Sequence, residues 1–366
     1  MQLREISIKG FRGIPDLTIP DLGRVNLVVG KNNTSKTSLL EAIFLLIGAA
    51  NPNLIYNVNL FRSLTISEED DLRFIFNKLD YKTYLQIEGW FQEKGYKREL
   101  KIKPGKKVIY AESTLSKKNG THIFADINTA TGEAIVNELI LEFNNKEDRK
   151  KTQSFHGSLA YSNGNIIINH PAKYSESLRG TYVQPSIFGF GGIVEKQLEN
   201  IIINKQEDKI INALKHIDPS IEDIALGASK MILVDIGINR LIPINLLGDG
   251  VIRMLNIILS ISDTKNGIVL IDEIDNGLHF STLSLLWKTV LEASKQFNVQ
   301  IFATTHNYET LKYLKELLDT PDMTSFQSCV RSITLRRLPD EERNIKAYTY
   351  TYEKFNHAIE QGIEIR

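Results

Sequence analysis

The sequence predicts an α/β fold in which a mostly parallel sheet is flanked by helices and an antiparallel β-rich lobe is inserted. Three observations predict it. Residues 25–29 form a short apolar strand that runs through a Gly/Asn-rich loop into an apolar helix. Residues 267–271 are a continuous apolar run, the pattern of a central parallel strand covered on both faces. Around that run helical and strand patterns alternate to about Leu318, as successive crossovers of a parallel sheet require.

In chain order, residues 3–8 and 17–19 read as short strands before the strand at 25–29. From 51 to 184 the pattern shifts to alternating strands, such as 83–91 and 135–143, broken by Gly, Asn and Lys turns. This stretch is the expected β-rich lobe, leaving 1–50 and 185–366 as the core of one module. After Pro185 the chain reads as helical through Ile217 and then gives two strands around 231–236 and 241–244. Helix, buried strand, helix, strand and helix follow. No heptad seam, repeat or low-complexity tract is visible.

Composition is ordinary for a globular chain, at 42% hydrophobic and 24% charged. The 44 basic residues balance the 44 acidic ones, so no overall field would hold nucleic acid or an anionic membrane, and such binding would need a local patch. Cys329 is the sole cysteine, which excludes an internal disulfide and a thiolate zinc cluster. The start alternates like a strand and lacks the apolar block of a signal peptide, so the expected location is cytoplasmic. The longest apolar stretch, 39–50, contains Glu41 and is too short to span a bilayer, so no membrane association is expected.

Gly30-Lys31-Asn32-Asn33-Thr34-Ser35-Lys36-Thr37 lies between that first core strand and its helix, with Ser38 in the helix's first turn. This is where a Walker A loop belongs, so the expected class is a P-loop NTPase. Such a loop turns backbone N–H groups toward the phosphates of ATP. Lys36 then reaches the β- and γ-phosphates and the Thr37 hydroxyl ligates Mg²⁺. Ser35 stands where glycine is expected; if that position needs a left-handed backbone, a non-glycine residue costs roughly 1–2 kcal/mol. The competing reading is a Gly/Asn turn with an incidental lysine.

The run 267–271 ends in Asp272 and Glu273. Ligands of parallel sheets sit at the carboxyl ends of strands, so both acids are expected to face the phosphate loop. Asp272 would hold Mg²⁺ through water, and Glu273 would orient and deprotonate the attacking water. The alternative is a strand that simply ends in a solvated acidic turn. Gly248-Asp249-Gly250 opens a helix whose bare N–H groups can approach a phosphate. A further apolar strand, 299–305, ends in His306, which taken alone reads as structural.

In this order the elements resemble the ABC-type ATPase heads of the SMC, RecF and OLD-like ATP-binding proteins, also grouped as AAA-type ATPases. The resemblance covers 1–50 and about 180–320. Ile6-Ser7-Ile8-Lys9-Gly10-Phe11-Arg12-Gly13 looks like their first strand with its FRG element, and Leu39-Leu40-Glu41-Ala42-Ile43 like their first helix. Residues 247–253 match the signature motif, 268–279 the extended Walker B and D-loop, and Thr304-Thr305-His306 the switch histidine. The resemblance implies that Gly248, Asp249 and Gly250 contact the γ-phosphate of ATP held by another subunit, that Asp275 and Asn276 lie at the dimer seam, and that His306 senses that phosphate. Gly248 stands where many relatives place a serine. Gln184 is a weak candidate for the Q-loop glutamine and reads rather as an ordinary loop residue.

The resemblance therefore implies an Mg-dependent ATPase acting as a homodimer or higher homo-oligomer in DNA repair or anti-phage defence. No Toprim nuclease is expected after His306, so a nuclease or other effector would be a separate protein. A nucleotide-gated switch with little turnover and a transporter ATP-binding subunit are the alternatives. Basic clusters occur at 94–107 and 146–151. Strand alternation would place Lys97, Lys101 and Lys103 with Glu99 on one face. That face can be read as a track for DNA phosphates, but the interrupting Glu93 and Glu99 favour an ordinary solvated surface.

Overall fold

The computed structural model describes residues 1–93, 95–110, 133–147, 152–162, 164–172, 174–185, 193–228, 230–339 and 344–362. β1 (Leu3–Phe11), β2 (Ile14–Ile19) and β3 (Val25–Val29) lead into α1 (Lys36–Ile47) and α2 (Asn53–Leu60). Strands β4 (Leu85–Phe91), β5 (Lys97–Tyr110), β6 (Glu133–Lys146), β7 (Gln153–Ser162), β8 (Asn165–Asn169) and β9 (Gly180–Val183) follow. Next come α3 (Ile193–Ile203), α4 (Glu207–Lys215), β10 (Asp223–Leu226), β11 (Ile232–Asp235) and β12 (Ile242–Pro243). The chain closes with α5 (Asp249–Asp263), β13 (Ile268–Ile271), α6 (Leu283–Gln296), β14 (Gln300–Thr305), α7 (Tyr308–Leu318), β15 (Val330–Arg337), β16 (Ile345–Tyr350) and α8 (Tyr352–Glu360).

Six strands form the central sheet in the order β16-β15-β3-β14-β13-β9, parallel throughout except for the β15–β16 pair. Its central strands β3, β13 and β14 are buried on both faces, which explains their predominantly apolar runs. Successive side chains point opposite ways, so Val28, Ile268, Leu270 and Phe302 enter one core while Val25, Leu27, Val269, Ile271, Ile301 and Ala303 enter the other. The first core fills the space between this sheet, α1 and a seven-stranded antiparallel sheet ordered β2-β1-β4-β5-β6-β7-β8. Because α1 lies between two sheets it is apolar almost all round, burying Leu39, Leu40, Ala42, Ile43, Leu45, Leu46 and Ile47. The second core packs the other face against α3 to α8, with Trp287 at 0% exposure.

The division expected at 50/51 and 184/185 does not coincide with a sheet boundary. β1 and β2 pair into the same sheet as the inserted strands, and β9, inside the expected lobe, is an edge strand of the parallel sheet. The lobe also contains α2 and a 3₁₀ segment, Glu69–Ile75. Alternation identifies a strand but not its partner, and β9 is four residues long, so only its pairing with β13 reveals its sheet. β10 and the C-terminal elements β15, β16 and α8 add to the expected order.

Candidate active site

β3 ends at the phosphate loop because Gly30 adopts φ +154°, and a Cβ there would lie 2.7 Å from both Leu335 O and Thr34 Oγ1. Asn33 and Ser35 take φ +67° and +69°. Ser35 is thus a left-handed non-glycine residue immediately before α1, the strained case foreseen for this position. Lys31, Asn32 and Asn33 are exposed, and Thr34 Oγ1 donates to Lys31 O at 2.9 Å, closing the turn. Lys36 Nζ donates to Gly30 O (2.7 Å) and Lys31 O (3.0 Å), so its ammonium spans the loop mouth. Burial lowers its pKa from the ordinary value, opposed by the charges of Asp272 and Glu273.

The Ser38 side chain is engaged within the protein. It is buried, and its hydroxyl accepts from Arg62 Nη2 at 2.9 Å. The same guanidinium grips Glu41 through both carboxylate oxygens, at 2.8 and 2.9 Å, and Arg12 Nη1 adds a third bond at 3.2 Å. Arg12 of the FRG element and Glu41 of the first helix are therefore joined with Arg62 in one ion cluster around the buried Glu41 carboxylate. This cluster was not visible in the spacing of either motif.

The acid pair lies where β13 leaves the sheet. Asp272 Oδ1 accepts from Thr37 Oγ1 (3.2 Å) and Thr304 Oγ1 (2.5 Å), and Oδ2 accepts from Tyr182 Oη (3.3 Å). Burial, with Asp272 alongside, pushes the Tyr182 phenol well above its ordinary pKa, so it stays a proton donor. Thr37 and Asp272 thus set two hard oxygen donors side by side. Among the described residues no group of three His, Cys, Asp or Glu side chains could hold a metal by itself. One hydroxyl and one carboxylate beside a phosphate loop is the sparse donor set that suits Mg²⁺, whose remaining positions go to phosphate and water.

Glu273 takes φ +48°, an unfavourable backbone for glutamate. Two neighbours hold it there: its N–H donates to Thr304 Oγ1 at 2.8 Å, and its carbonyl accepts from Arg253 Nη2 at 2.9 Å. Arg253, 1% exposed on α5, also binds Asp272 O at 2.7 Å and Gln184 O through Nη1. Burial brings its pKa down to about 10, opposed by Asp272, Asp275 and Glu273, so it remains charged at neutral pH. His306 is exposed with Nδ1 3.7 Å from Glu273 Oε1. Asp275 is held by Thr305 and Thr310, while Asn276 reaches Pro185 O. With Glu273, Gly277 and Asn307, these residues line a cleft of about 440 Å³.

Gln184 fits the site better than its sequence context implied. It follows β9, beside the strand that carries Asp272, and its amide nitrogen is buried without a partner among the described residues. Gly248 and Asp249, by contrast, are exposed at the start of α5, with nothing within 4 Å of a Cβ placed on Gly248. Neighbouring Leu246 is 71% exposed. Among the described residues no hydrogen bond joins this helix start to the chain's own phosphate loop. The lysines of the basic face on β5 are engaged within the sheet: Lys97 pairs with Glu88 at 2.5 Å, Lys103 with Glu142, and Lys101 lies 3.8 Å from the Tyr84 ring centroid. Lys94 and residues 148–151 of the basic clusters lie outside the described residues.

Residues 25–312 match the family described as "AAA domain, putative AbiEii toxin, Type IV TA system". A Helicobacter pylori protein named ATP/GTP phosphatase is 23% identical over 345 residues, covering 87% of this chain and 89% of its own. RecF of Pseudoalteromonas translucida, a DNA replication and repair protein, is 48% identical over 46 residues, 13% of each chain. A solved SMC head bound to the C-terminal winged-helix domain of ScpA aligns over 97% of this chain and all of its own, at 12% identity and TM-score 0.52, and so shares the fold. With the phosphate loop, acid pair and sheet order described above, the chain belongs to this AAA-domain family, is an ATPase, and shares its fold with the SMC head.

Proposed function

We propose that this ATPase hydrolyses ATP with Mg²⁺ in a head-to-tail dimer, each phosphate loop being completed by the Gly248–Gly250 helix start of the partner. One contrast carries the reading. Lys36, Thr37, Asp272 and Glu273 converge on one carboxyl edge of the sheet, whereas the glycine-rich start of α5 is exposed and faces no ligand of its own chain. A 15-residue helix with bare N–H groups at its start suits an anion supplied from outside. Lys36 would exchange its two carbonyl partners for phosphate oxygens. Mg²⁺, held by Thr37 and Asp272, would neutralise charge on the transferred group. Glu273 would accept the proton of the attacking water, and His306 would stand across from it at the cleft mouth.

Glu273→Gln is the test. The amide keeps the volume but cannot take the proton, so turnover should fall by roughly 10²–10⁴-fold with ATP still bound. Retained ATP should then shift the protein toward dimer or a larger assembly in light scattering, by preferential binding to one state. A monomer at saturating ATP–Mg²⁺ would overturn the head-to-tail arrangement. A nucleotide-gated switch with little turnover is the second reading, favoured by the left-handed Ser35 and by Gly248 in place of serine. Steady phosphate release by the wild type would exclude it.

The cellular role we infer is DNA repair or phage defence with a separately encoded effector. The name of the RecF relative supports the first, the toxin–antitoxin family description the second, and the SMC head bound to a ScpA domain the separate partner. No helix among the described residues is long and apolar enough to cross a membrane. Recovery of a nuclease or DNA with the chain in the presence of ATP is the corresponding measurement.

A further inference from the structure

We propose that Arg337 is a positioning residue of the phosphate loop, acting with Gly13 to hold Ser35 in its left-handed conformation. The proposal rests on reading residues 30–38 as the nucleotide site. Two loop residues, Asn33 and Ser35, have positive φ, a conformation that glycine adopts freely and other residues resist. The structure supplies restraints at both. Arg337 donates from Nε and Nη2 to Asn33 O, at 3.3 and 3.2 Å, and from Nη2 to Ser35 Oγ at 3.2 Å. Ser35 Oγ in turn donates to Gly13 O at 3.3 Å, and Arg337 Nη2 reaches the same carbonyl at 3.5 Å.

Gly13 is part of this arrangement by its size. A Cβ at Gly13 would lie 2.5 Å from Ser35 Oγ, so the turn between β1 and β2 must be side-chain-free for the serine to fit. Residues 35 and 337 are brought together by the order of the parallel sheet, and Gly13 is contributed by the β1–β2 turn of the antiparallel sheet packed against it. β15 pairs in parallel with β3, Thr334 opposite Val29, so the chain beyond Thr334 runs beside the loop that follows Val29. The planar guanidinium then contacts two loop residues with one rigid group, which a lysine could not reproduce. A glycine at position 35 would have no hydroxyl for Arg337 or Gly13 to bind and would need neither. The arginine and the serine are therefore coupled parts of one device that preorganises the loop for polyphosphate.

The experiment is a double-mutant cycle on the full chain, reading ATP dissociation constant, KM and kcat for wild type, Arg337→Ala, Ser35→Gly and the double variant. Arg337→Ala should raise Kd and KM about tenfold while kcat at saturating ATP changes by less than about threefold, the split expected of lost loop preorganisation. In the Ser35→Gly background the same change should cost clearly less than in the wild type, because only the bonds to Asn33 O and Gly13 O remain to be lost. Arg337→Lys, which keeps the charge, should behave like Arg337→Ala, and it carries the test should the alanine variant not fold. An equal penalty in both backgrounds, full rescue by lysine, or unaltered ATP affinity would each overturn the proposal. Lys36→Ala separates the two readings. If it loses ATP while Arg337 variants do not, only the clamp fails; if it keeps ATP, the nucleotide site itself is misplaced.

Discussion

Arg253→Met tests whether the acid pair is held from behind by the α5 arginine. The substitution keeps an unbranched, space-filling side chain but removes the donors to Asp272 O, Glu273 O and Gln184 O. Hydrogen bonds from charged donors contribute about 1.5–3 kcal/mol each, so three have a gross value of roughly 5–9 kcal/mol. Removing a guanidinium at 1% exposure also relieves its desolvation and its unpartnered Nε, which leaves a net loss of about 2–4 kcal/mol. The functional effect should be larger than the stability change implies. Glu273 at φ +48° carries strain of about 1–3 kcal/mol, and with one of its two tethers gone its backbone can relax to another basin. Displacement of the base proposed at Glu273 by about 1 Å costs on the order of 100-fold in turnover. Urea unfolding and steady-state phosphate release measure the two effects. A variant with native kcat and a stability loss below about 1 kcal/mol would refute the argument that this fork positions Glu273.

Lys36→Ala should weaken ATP binding at least tenfold, since a charge-assisted contact of about 1.5–3 kcal/mol is lost at the loop mouth, while the fold survives; calorimetric titration with ATP checks it. Tyr182→Phe removes the bond to Asp272 Oδ2, and the Mg²⁺ concentration giving half-maximal hydrolysis should rise on the order of tenfold, as for loss of a group that orients a metal ligand. Asp71 tests pH dependence. Burial pushes its carboxyl up, but bonds from Ser67 N, Ser67 Oγ and Glu68 N outweigh this and hold it below its ordinary value. Its stabilisation is therefore complete above the unfolded pKa of about 3.9 and is lost as pH falls through the lower folded value. Asp71→Asn should flatten that part of the acid limb of melting temperature against pH.

The legible parts of this protein were those whose physics is local. β3, the loop and α1 are contiguous, so a buried strand, a turn with positive-φ positions and an apolar helix could be read directly from residues 25–47. β13 and β14 could be read because burial on both faces favours a run of apolar residues, complete in β13 and central in β14. Ser38 shows the limit of that reading: motif position places it in the nucleotide set, yet its side chain points to Arg62, whose place above α1 depends on α2. The lysines of β5 show another. Alternation finds their face correctly, but whether the face is bare or paired depends on Glu88 and Glu142 across the sheet.

By itself the sequence determined that a phosphate loop, a glycine-rich helix start and an acidic strand end follow one another in a parallel α/β chain. Each depends on residues close together in the chain, whose backbone needs and burial leave a periodic or spaced trace. Only the tertiary structure decided what supports them. Sheet order set β9 against β13 and β15 against β3, bringing Tyr182 to Asp272 and Arg337 to Ser35, while α5 placed Arg253 behind Glu273. These contacts join residues tens to hundreds of positions apart. Strand pairing is chosen by the packing of whole faces rather than by any local pattern, so a single stretch of sequence carries no mark of them.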